Sequence, residues 1–128
     1  MDAALVNLFG ASEATNTDKV LHGLSVNAGT YEGTARVVDS SADFGRIRRG
    51  DVLVTRNTSP YFNVVLPLLG AIVTDRGGQL SHAAIVAREY GIPGVVGTRD
   101  ATSVIADGAR VRVDGTTGEV HLLDAPAT

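Results

Sequence analysis

Two continuous apolar runs near the middle of the chain constrain its fold more than any other feature. The runs Val-Leu-Val at 52–54 and Ala-Ile-Val at 71–73 lack the alternation of a half-exposed strand. Such runs are typical of strands buried on both faces, in the centre of a sheet that helices cover. Each run is followed by a stretch predicted to be helical. The sequence therefore indicates an α/β domain.

Predicted strands and helices alternate along most of the chain. Strands are predicted at 34–38, 52–55, 71–74, 95–96, 110–113 and 119–122, and helices at 41–47, 61–69, 81–90 and 100–105. Pro67 interrupts the second of these helices. The last two strands alternate apolar and polar residues across a glycine-containing turn at 114–118, which predicts a half-exposed hairpin. The hairpin makes the sheet mixed and not wholly parallel.

The glycine spacing and the chain length predict one domain. The 15 glycines separate short β-branched runs from about residue 21 onwards, and 128 residues suffice for one core. We therefore place the domain at 21–124, with a tail or short helix plus a linker at 1–20. Residues 125–128 are predicted to be a C-terminal tail.

Composition and charge limit the classes of function. With a formal net charge of −3 and no Trp, the chain lacks the basic and aromatic character that nucleic-acid binding requires. No run reaches the roughly 18 apolar residues of a membrane span, and no signal segment begins the chain, so we expect a cytoplasmic protein. The absence of Cys removes thiolate chemistry, and the three histidines lack metal-ligand spacing, so no metal site is predicted.

The segment at 74–93 contains the candidate chemistry. A buried strand is followed by Gly77 and Gly78, which allow a sharp turn, and then by Ser81, a preferred N-cap residue. His82 is therefore predicted to open a helix that Gly91 ends. A helix start offers unpaired N–H groups and the positive end of the dipole, and the glycine amides add to them, which suits a phosphate.

The same geometry suits a nucleophilic histidine. The helix dipole disfavours a protonated imidazole, and the neutral ring has a lone pair that can attack phosphorus. We predict His82 as the catalytic residue, with Gly77, Gly78 and Ser81 binding phosphate. The alternative is that this strand, turn and helix are ordinary parts of an α/β fold, with His82 as polar surface.

The string GGQLSHAAIVAREYGIPGVVGT at 77–98 resembles the phosphohistidine signature of the phosphoenolpyruvate-utilising enzymes. Weaker similarity extends from about residue 23 to 123 and includes Thr-Ser-Pro at 58–60. The resemblance implies a single swivelling β/β/α domain with a mixed sheet and flanking helices, phosphorylated on His82. Thr58 resembles a recurrent family position and joins the predicted phosphate-binding residues. Leu80 stands where many dikinases and enzyme I proteins have threonine. A leucine at this position is more similar to rifampicin phosphotransferase and phenylphosphate synthase.

The resemblance also implies partners. In the family this domain moves between an ATP-grasp nucleotide-binding domain and a domain that handles phosphoenolpyruvate, pyruvate or another acceptor. The chain is then a phosphotransferase component that binds no cofactor itself, with ATP and Mg on a partner domain, and it needs partners for turnover. The alternative is a non-catalytic module that keeps the fold and binds a phosphate-bearing ligand or a protein at the same helix terminus.

Five other polar residues receive no catalytic role. His22 lies before the first predicted strand without a partner nearby, and His121 alternates with apolar neighbours in the hairpin. Arg76 and Arg88 are predicted to be solvated surface, although a guanidinium pairs well with phosphate. Asp75 is predicted to form a turn instead of orienting the imidazole.

Overall fold

A computed structural model describes residues 19–123 as one mixed sheet with short helices on its faces. The strands are β1 (Val20–His22), β2 (Leu24–Asn27), β3 (Thr30–Val38), β4 (Val52–Thr55), β5 (Ala71–Thr74), β6 (Gly94–Val96), β7 (Arg110–Asp114) and β8 (Glu119–Leu122). The α-helices are α1 (His82–Tyr90) and α2 (Ala101–Val104). Three segments are 3₁₀-helical: Ser41–Arg46, Pro60–Val64 and Leu66–Leu68.

The sheet has parallel strands at its centre and antiparallel strands at its margins. Its order is β1-β8-β7-β3-β4-β5-β6-β2. The pairs β3–β4, β4–β5 and β5–β6 are parallel, and the other four pairs are antiparallel. The predicted hairpin of β7 and β8 is confirmed, as is the mixed sheet. Because β4, β5 and β6 run in one direction, the loops that follow them share one edge of the sheet.

The central strands are buried on both faces, as their continuous apolar pattern predicts. Along β4, Leu53 packs into one core cluster while Val52 and Val54 pack into the other. The first cluster also contains Val86 of α1, and the second contains Ala101 of α2. Helices thus flank both faces of the sheet, which confirms the α/β class.

Helix α1 has the boundaries that its sequence predicts. Its N-cap is Ser81, and its C-cap Gly91 has φ 68°, a left-handed conformation that glycine adopts without steric cost. One detail differs from the sequence pattern, in which Ala83, Val86, Ala87 and Tyr90 follow i, i+3, i+4, i+7 spacing and predict one apolar face. Tyr90 is 44% exposed, whereas Ala84, one position off the predicted apolar face, is fully buried.

The first two strands were not predicted from the sequence. Strand β1 pairs with β8, and β2 pairs with β6, so both owe their conformation to segments about 70 to 100 residues away in the chain. Neither strand is long enough for its own hydrophobic pattern to indicate a strand. Within the described residues, Val20 already belongs to β1, at the last position of the predicted linker. Most of the predicted tail or short helix plus linker at 1–20, and the predicted tail at 125–128, lie outside the described residues.

The predicted helices at 41–47 and 61–69 are 3₁₀-helical and not α-helical. The second region is divided into Pro60–Val64 and Leu66–Leu68, because Pro67 has no backbone N–H to donate to a carbonyl of the preceding turn. Between residues 19 and 123, no helix is long and apolar enough to cross a membrane.

An ion-pair network attaches the segment Ser41–Arg46 to the loop before β7. Asp107 accepts hydrogen bonds from the backbone N–H of Val37 at 2.8 Å and from Arg46 Nη1 at 2.9 Å. Partial burial is the largest influence on the pKa of Asp107 and raises it. The two hydrogen bonds and the charges of Arg46 and Arg36 together outweigh burial and hold that pKa below its usual 3.8.

Candidate functional site

His82 is the first residue of α1, at the edge of the sheet where the parallel strands end. The chain leaves β5, passes through Asp75 and Arg76, and turns at Gly77 before the helix begins. Gly77 has φ 114°, a conformation that residues with a Cβ rarely adopt. His82 is half-buried, so part of the residue remains open to solvent. The predicted turn and helix start are both confirmed.

Thr58 is in direct contact with the imidazole. Its Oγ1 lies 2.8 Å from Nδ1 of His82, and Thr58 is itself only 6% exposed. Thr58 lies in the loop between β4 and Pro60–Val64, and the parallel β4–β5 pairing brings that loop beside the turn before α1. Nδ1 is therefore engaged by the protein, and because no hydrogen bond from residues 19–123 reaches Nε2, that nitrogen is the one left for chemistry.

The hydroxyl of Ser81 closes the start of the helix. It accepts a hydrogen bond from the backbone N–H of Ala84 at 3.3 Å and donates one to the carbonyl of Gly78 at 2.8 Å. The N-cap role predicted for Ser81 is confirmed. Because its proton is already donated to a carbonyl, this hydroxyl serves the turn, and a direct phosphate contact stays a prediction.

Several backbone N–H groups around His82 are free to bind an anion. Within residues 19–123, the N–H groups of Gly77, Gly78, His82 and Ala83 have no acceptor among the backbone or side-chain hydrogen bonds. Those of His82 and Ala83 belong to the first turn of α1, where the helix dipole is positive. The arrangement can hold a phosphoryl group beside the imidazole, although phosphate binding by Gly77 and Gly78 remains a prediction.

Arg88 supports the turn and is not simply solvated surface. Its Nη1 donates to the carbonyl of Gln79 at 2.9 Å, its Nη2 donates to Oε1 of the same residue, and its Nε donates to the carbonyl of Val26 at 3.0 Å. These bonds use the planar guanidinium fork to tie β2, the glycine turn and α1 together. No sequence pattern indicates this clamp, since a spacing of nine residues has no structural periodicity.

A second glycine, Gly97, shapes the turn from the neighbouring strand. Its φ is 70°, and a Cβ at this position would lie 3.0 Å from the carbonyl oxygen of Gly77. The loop after β6 therefore approaches the turn closely only because residue 97 has no side chain. Gly97 lies inside the string at 77–98 that resembles the family signature. Its place in that string is the sequence feature that could have indicated its role in the turn.

Asp75 faces away from the imidazole. Its carboxylate accepts hydrogen bonds from the backbone N–H of Thr102 at 2.9 Å and from its hydroxyl at 2.6 Å. Both donors belong to α2, so Asp75 anchors the helix on the opposite face of the sheet from α1. This geometry agrees with the prediction that Asp75 does not orient the imidazole, but the carboxylate anchors a helix and does not only form a turn.

The other two histidines lie together on a different part of the sheet. His22 Nδ1 is 4.0 Å from Glu119 Oε2, and His121 Nε2 is 3.1 Å from Glu119 Oε1. Both belong to the paired strands β1 and β8, and neither approaches His82. In the part of the chain that the structure describes, no group of three or more His, Asp or Glu side chains is placed to hold a metal ion.

Comparison with protein families identifies the domain. The model of the mobile domain of PEP-utilising enzymes matches residues 47–118, more than half of the chain. This chain belongs to that family. The match includes the glycine turn, His82 and Thr58, which are the residues that the fold brings together.

Three similar proteins, two of them named as phosphotransferases, are many times longer than this chain. A Streptomyces rifampicin phosphotransferase is 48% identical over 103 residues, which is 80% of this chain and 12% of that protein. The phosphoenolpyruvate synthase of Pyrococcus furiosus is 42% identical over 111 residues, covering 87% and 14%. An uncharacterised phosphotransferase of Bacillus subtilis is 42% identical over 108 residues, covering 84% and 13%. The chain therefore spans only about an eighth of the length of these relatives.

Solved structures agree with the fold. A solution structure of an Enzyme I protein matches with a TM-score of 0.56 and 32% identity, over 66% of this chain and 35% of that one. Aconitase X of Thermococcus kodakaraensis matches with a TM-score of 0.62 but only 23% identity, over 83% of this chain and 99% of that one. The second likeness concerns the fold alone.

Proposed function

We propose that this chain is a phosphoryl carrier in which Nε2 of His82 is transiently phosphorylated. The observation that supports this most is the contact between Thr58 and Nδ1, because it orients the ring and leaves Nε2 as the free nitrogen. Membership of the mobile-domain family and the free N–H groups at the start of α1 support the same function.

The transfer step follows from this orientation. The lone pair of neutral Nε2 attacks the phosphorus of a donor, the P–O bond to the leaving oxygen breaks, and that oxygen keeps the electron pair. The ring becomes positively charged, with its remaining proton on Nδ1 facing Oγ1 of Thr58, which accepts a hydrogen bond from it. The phosphoryl oxygens gain N–H donors in the first turn of α1. Transfer to the acceptor reverses these bond changes.

Partners would supply the substrates. We propose that an ATP-grasp domain, with ATP and Mg, phosphorylates His82, and that a second domain receives the group for pyruvate, with phosphoenolpyruvate as product, or for another acceptor. The names of the relatives, which include rifampicin phosphotransferase and phosphoenolpyruvate synthase, support a phosphotransfer reaction. The cytoplasm, where ATP is abundant, is the proposed location.

A chimeric enzyme tests this function. This chain replaces the segment that it matches in the Pyrococcus furiosus phosphoenolpyruvate synthase, and the chimera receives ATP carrying label in its β- and γ-phosphates. We expect one acid-labile label on His82, because protonation of a phosphorylated imidazole makes the ring a better leaving group. A phosphoserine on Ser81 would resist the same acid.

Two substitutions sharpen the result. His82→Ala should remove the label from a folded protein, whereas Ser81→Ala should slow labelling without abolishing it, because the nucleophile remains. A wild-type chimera that binds phosphate but takes up no label on His82 would contradict the carrier and favour the non-catalytic binding module.

A further inference from the structure

Arg88 of α1 and Gln79 in the turn before His82 are joined by hydrogen bonds. Nη1 of Arg88 donates to the backbone carbonyl of Gln79 at 2.9 Å, and Nη2 donates to Oε1 of the same residue. Nε2 of Gln79 donates in turn to the carbonyl of Ser25 at 3.2 Å. Neither side chain has a part in the transfer step described above, so both need a separate explanation.

Strand β2 holds both side chains against the body of the domain. Nε of Arg88 donates to the carbonyl of Val26 at 3.0 Å, and this carbonyl follows the one that Gln79 uses. Val26 is buried in the core and β2 is paired with β6, so the backbone of β2 is fixed. All three guanidinium nitrogens of Arg88 thus donate to the protein, and the planar fork ties the turn to the sheet.

Two consecutive peptide planes of the turn are fixed by these and neighbouring bonds. The carbonyl of Gln79 accepts from Arg88. The carbonyl of Gly78 accepts from the N–H of Ser81 at 3.1 Å and from its hydroxyl at 2.8 Å. In a trans peptide the C=O and the N–H point in opposite directions. The N–H groups of Gln79 and Leu80 therefore point away from these donors, and within residues 19–123 neither has an acceptor.

This turn can bind an anion only while its carbonyls stay fixed. Within residues 19–123, the N–H groups at 77–80, 82 and 83 all lack an acceptor. Successive N–H groups of this kind form a concave anion site. If the peptide between Gln79 and Leu80 rotated, the carbonyl oxygen of Gln79 would take the place of an N–H group and repel a phosphoryl oxygen. The hydrogen bond from Arg88 opposes that rotation.

We infer that Arg88 is a positioning residue for the phosphorylation of His82, an inference that rests on the proposed function. Arg88 follows His82 by six positions, about 9 Å along α1, and its donors are already used, so it acts through the turn. By holding the carbonyl of Gln79, it keeps the N–H groups of Gln79 and Leu80 directed at the phosphoryl oxygens before the reaction begins. Donors that are already in place need no reorganisation in the transition state.

The test measures labelling of His82 in the isolated chain by phosphoramidate, a small phosphoryl donor that needs no partner domain. Arg88→Met removes the guanidinium and keeps an unbranched side chain, whereas Arg88→Lys keeps the charge without the fork. Arg112→Met is the matched control. Nε of Arg112 also bonds a side chain, Oε2 of Glu32 at 3.0 Å, but it lies on β7, which β3 and β4 separate from β5. Circular dichroism shows which variants are folded.

We expect the maximal labelling rate to fall at least tenfold in folded Arg88→Met, with the KM for phosphoramidate within about threefold of the wild type. Arg88→Lys should stay at least fivefold slower than the wild type, because an ammonium lacks the rigid fork that holds two carbonyls. Arg112→Met should change neither quantity by more than twofold. A wild-type rate in folded Arg88→Met would overturn the positioning role. A wild-type rate in Arg88→Lys would overturn it as well, since the charge alone would then suffice.

Nuclear magnetic resonance of the isotope-labelled wild type gives a second test, which needs no substitution. The amide protons of Gln79 and Leu80 should move downfield when His82 is phosphorylated, because they then donate to phosphoryl oxygens. Unmoved signals of both residues in a chain that carries the phosphoryl group on His82 would overturn the positioning role. Absence of label from the wild-type chain with phosphoramidate and from the chimera with ATP would instead refute the carrier function.

Discussion

The two glycines before His82 should respond in opposite directions to the same substitution. Gly77 has φ 114°, and a Cβ there would lie 3.0 Å from Oγ and 3.1 Å from Cβ of Ser81. At Gly78, no heavy atom lies within 4 Å of a Cβ, and φ is outside the left-handed range. Gly77→Ala therefore strains the turn, whereas Gly78→Ala does not.

The expected size of the difference follows from these positions. A residue with a Cβ in a sparsely populated conformation costs about 1 to 3 kcal/mol. Replacing glycine with alanine also restricts the unfolded chain. This stabilises the folded protein by about 0.4 to 1 kcal/mol where alanine can adopt the native conformation. Gly77→Ala should therefore lower the free energy of unfolding by about 1 to 2 kcal/mol. Gly78→Ala should raise it by about 0.4 to 1 kcal/mol.

Urea unfolding followed by far-ultraviolet circular dichroism measures the contrast. The free energy of unfolding of a small domain falls by about 1 to 3 kcal/mol per molar urea, so a difference of about 2 kcal/mol separates the two midpoints by about 1 M. Gly77→Ala should also slow labelling of His82, because the N-cap and the first turn follow the strained position. Equal midpoints for the two variants, or a lower midpoint for Gly78→Ala, would refute the assignment of the turn to Gly77.

Three further predictions follow from the described contacts. Thr58→Val should slow phosphorylation of His82 by phosphoramidate at least tenfold, whereas Thr58→Ser, which keeps the hydroxyl, should stay within about threefold of the wild type; equal rates for both would show that the hydroxyl does not orient the ring. Asp75→Ala leaves the N–H of Thr102 without its acceptor, so it should cost about 1 to 3 kcal/mol of stability in urea unfolding without preventing labelling. Folding lowers the pKa of Asp107, so this carboxylate stabilises the folded protein above its ordinary pKa of 3.8. That stabilisation is lost as the pH falls through the lower folded value. As the pH falls from 7 to 2.5, the urea midpoint of Asp107→Asn should fall less steeply than that of the wild type. Identical slopes for the two proteins would contradict this prediction.

The sequence predicts the centre of this fold well because the signals there are local. Continuous β-branched runs indicate β4 and β5, and both strands have the predicted bounds. Ser81 and Gly91 are capping residues whose effect depends on their immediate neighbours, so α1 was also predicted with its ends. The alternating pattern of β7 and β8 similarly predicts the hairpin. His82 at the start of α1 follows from these local rules.

The remaining structure depends on contacts between segments far apart in the chain. Strands β1 and β2 form because β8 and β6 offer unpaired edges, which no pattern within the two short strands reveals. Sequence reasoning included Thr58 among the phosphate-binding residues through resemblance, but only the parallel pairing of β4 with β5 brings its hydroxyl to Nδ1. Local sequence thus predicted which residue is the candidate nucleophile. Tertiary structure decided which of its two nitrogens the protein engages, because the contact between Thr58 and Nδ1 depends on the pairing of β4 with β5 and not on the order of the residues.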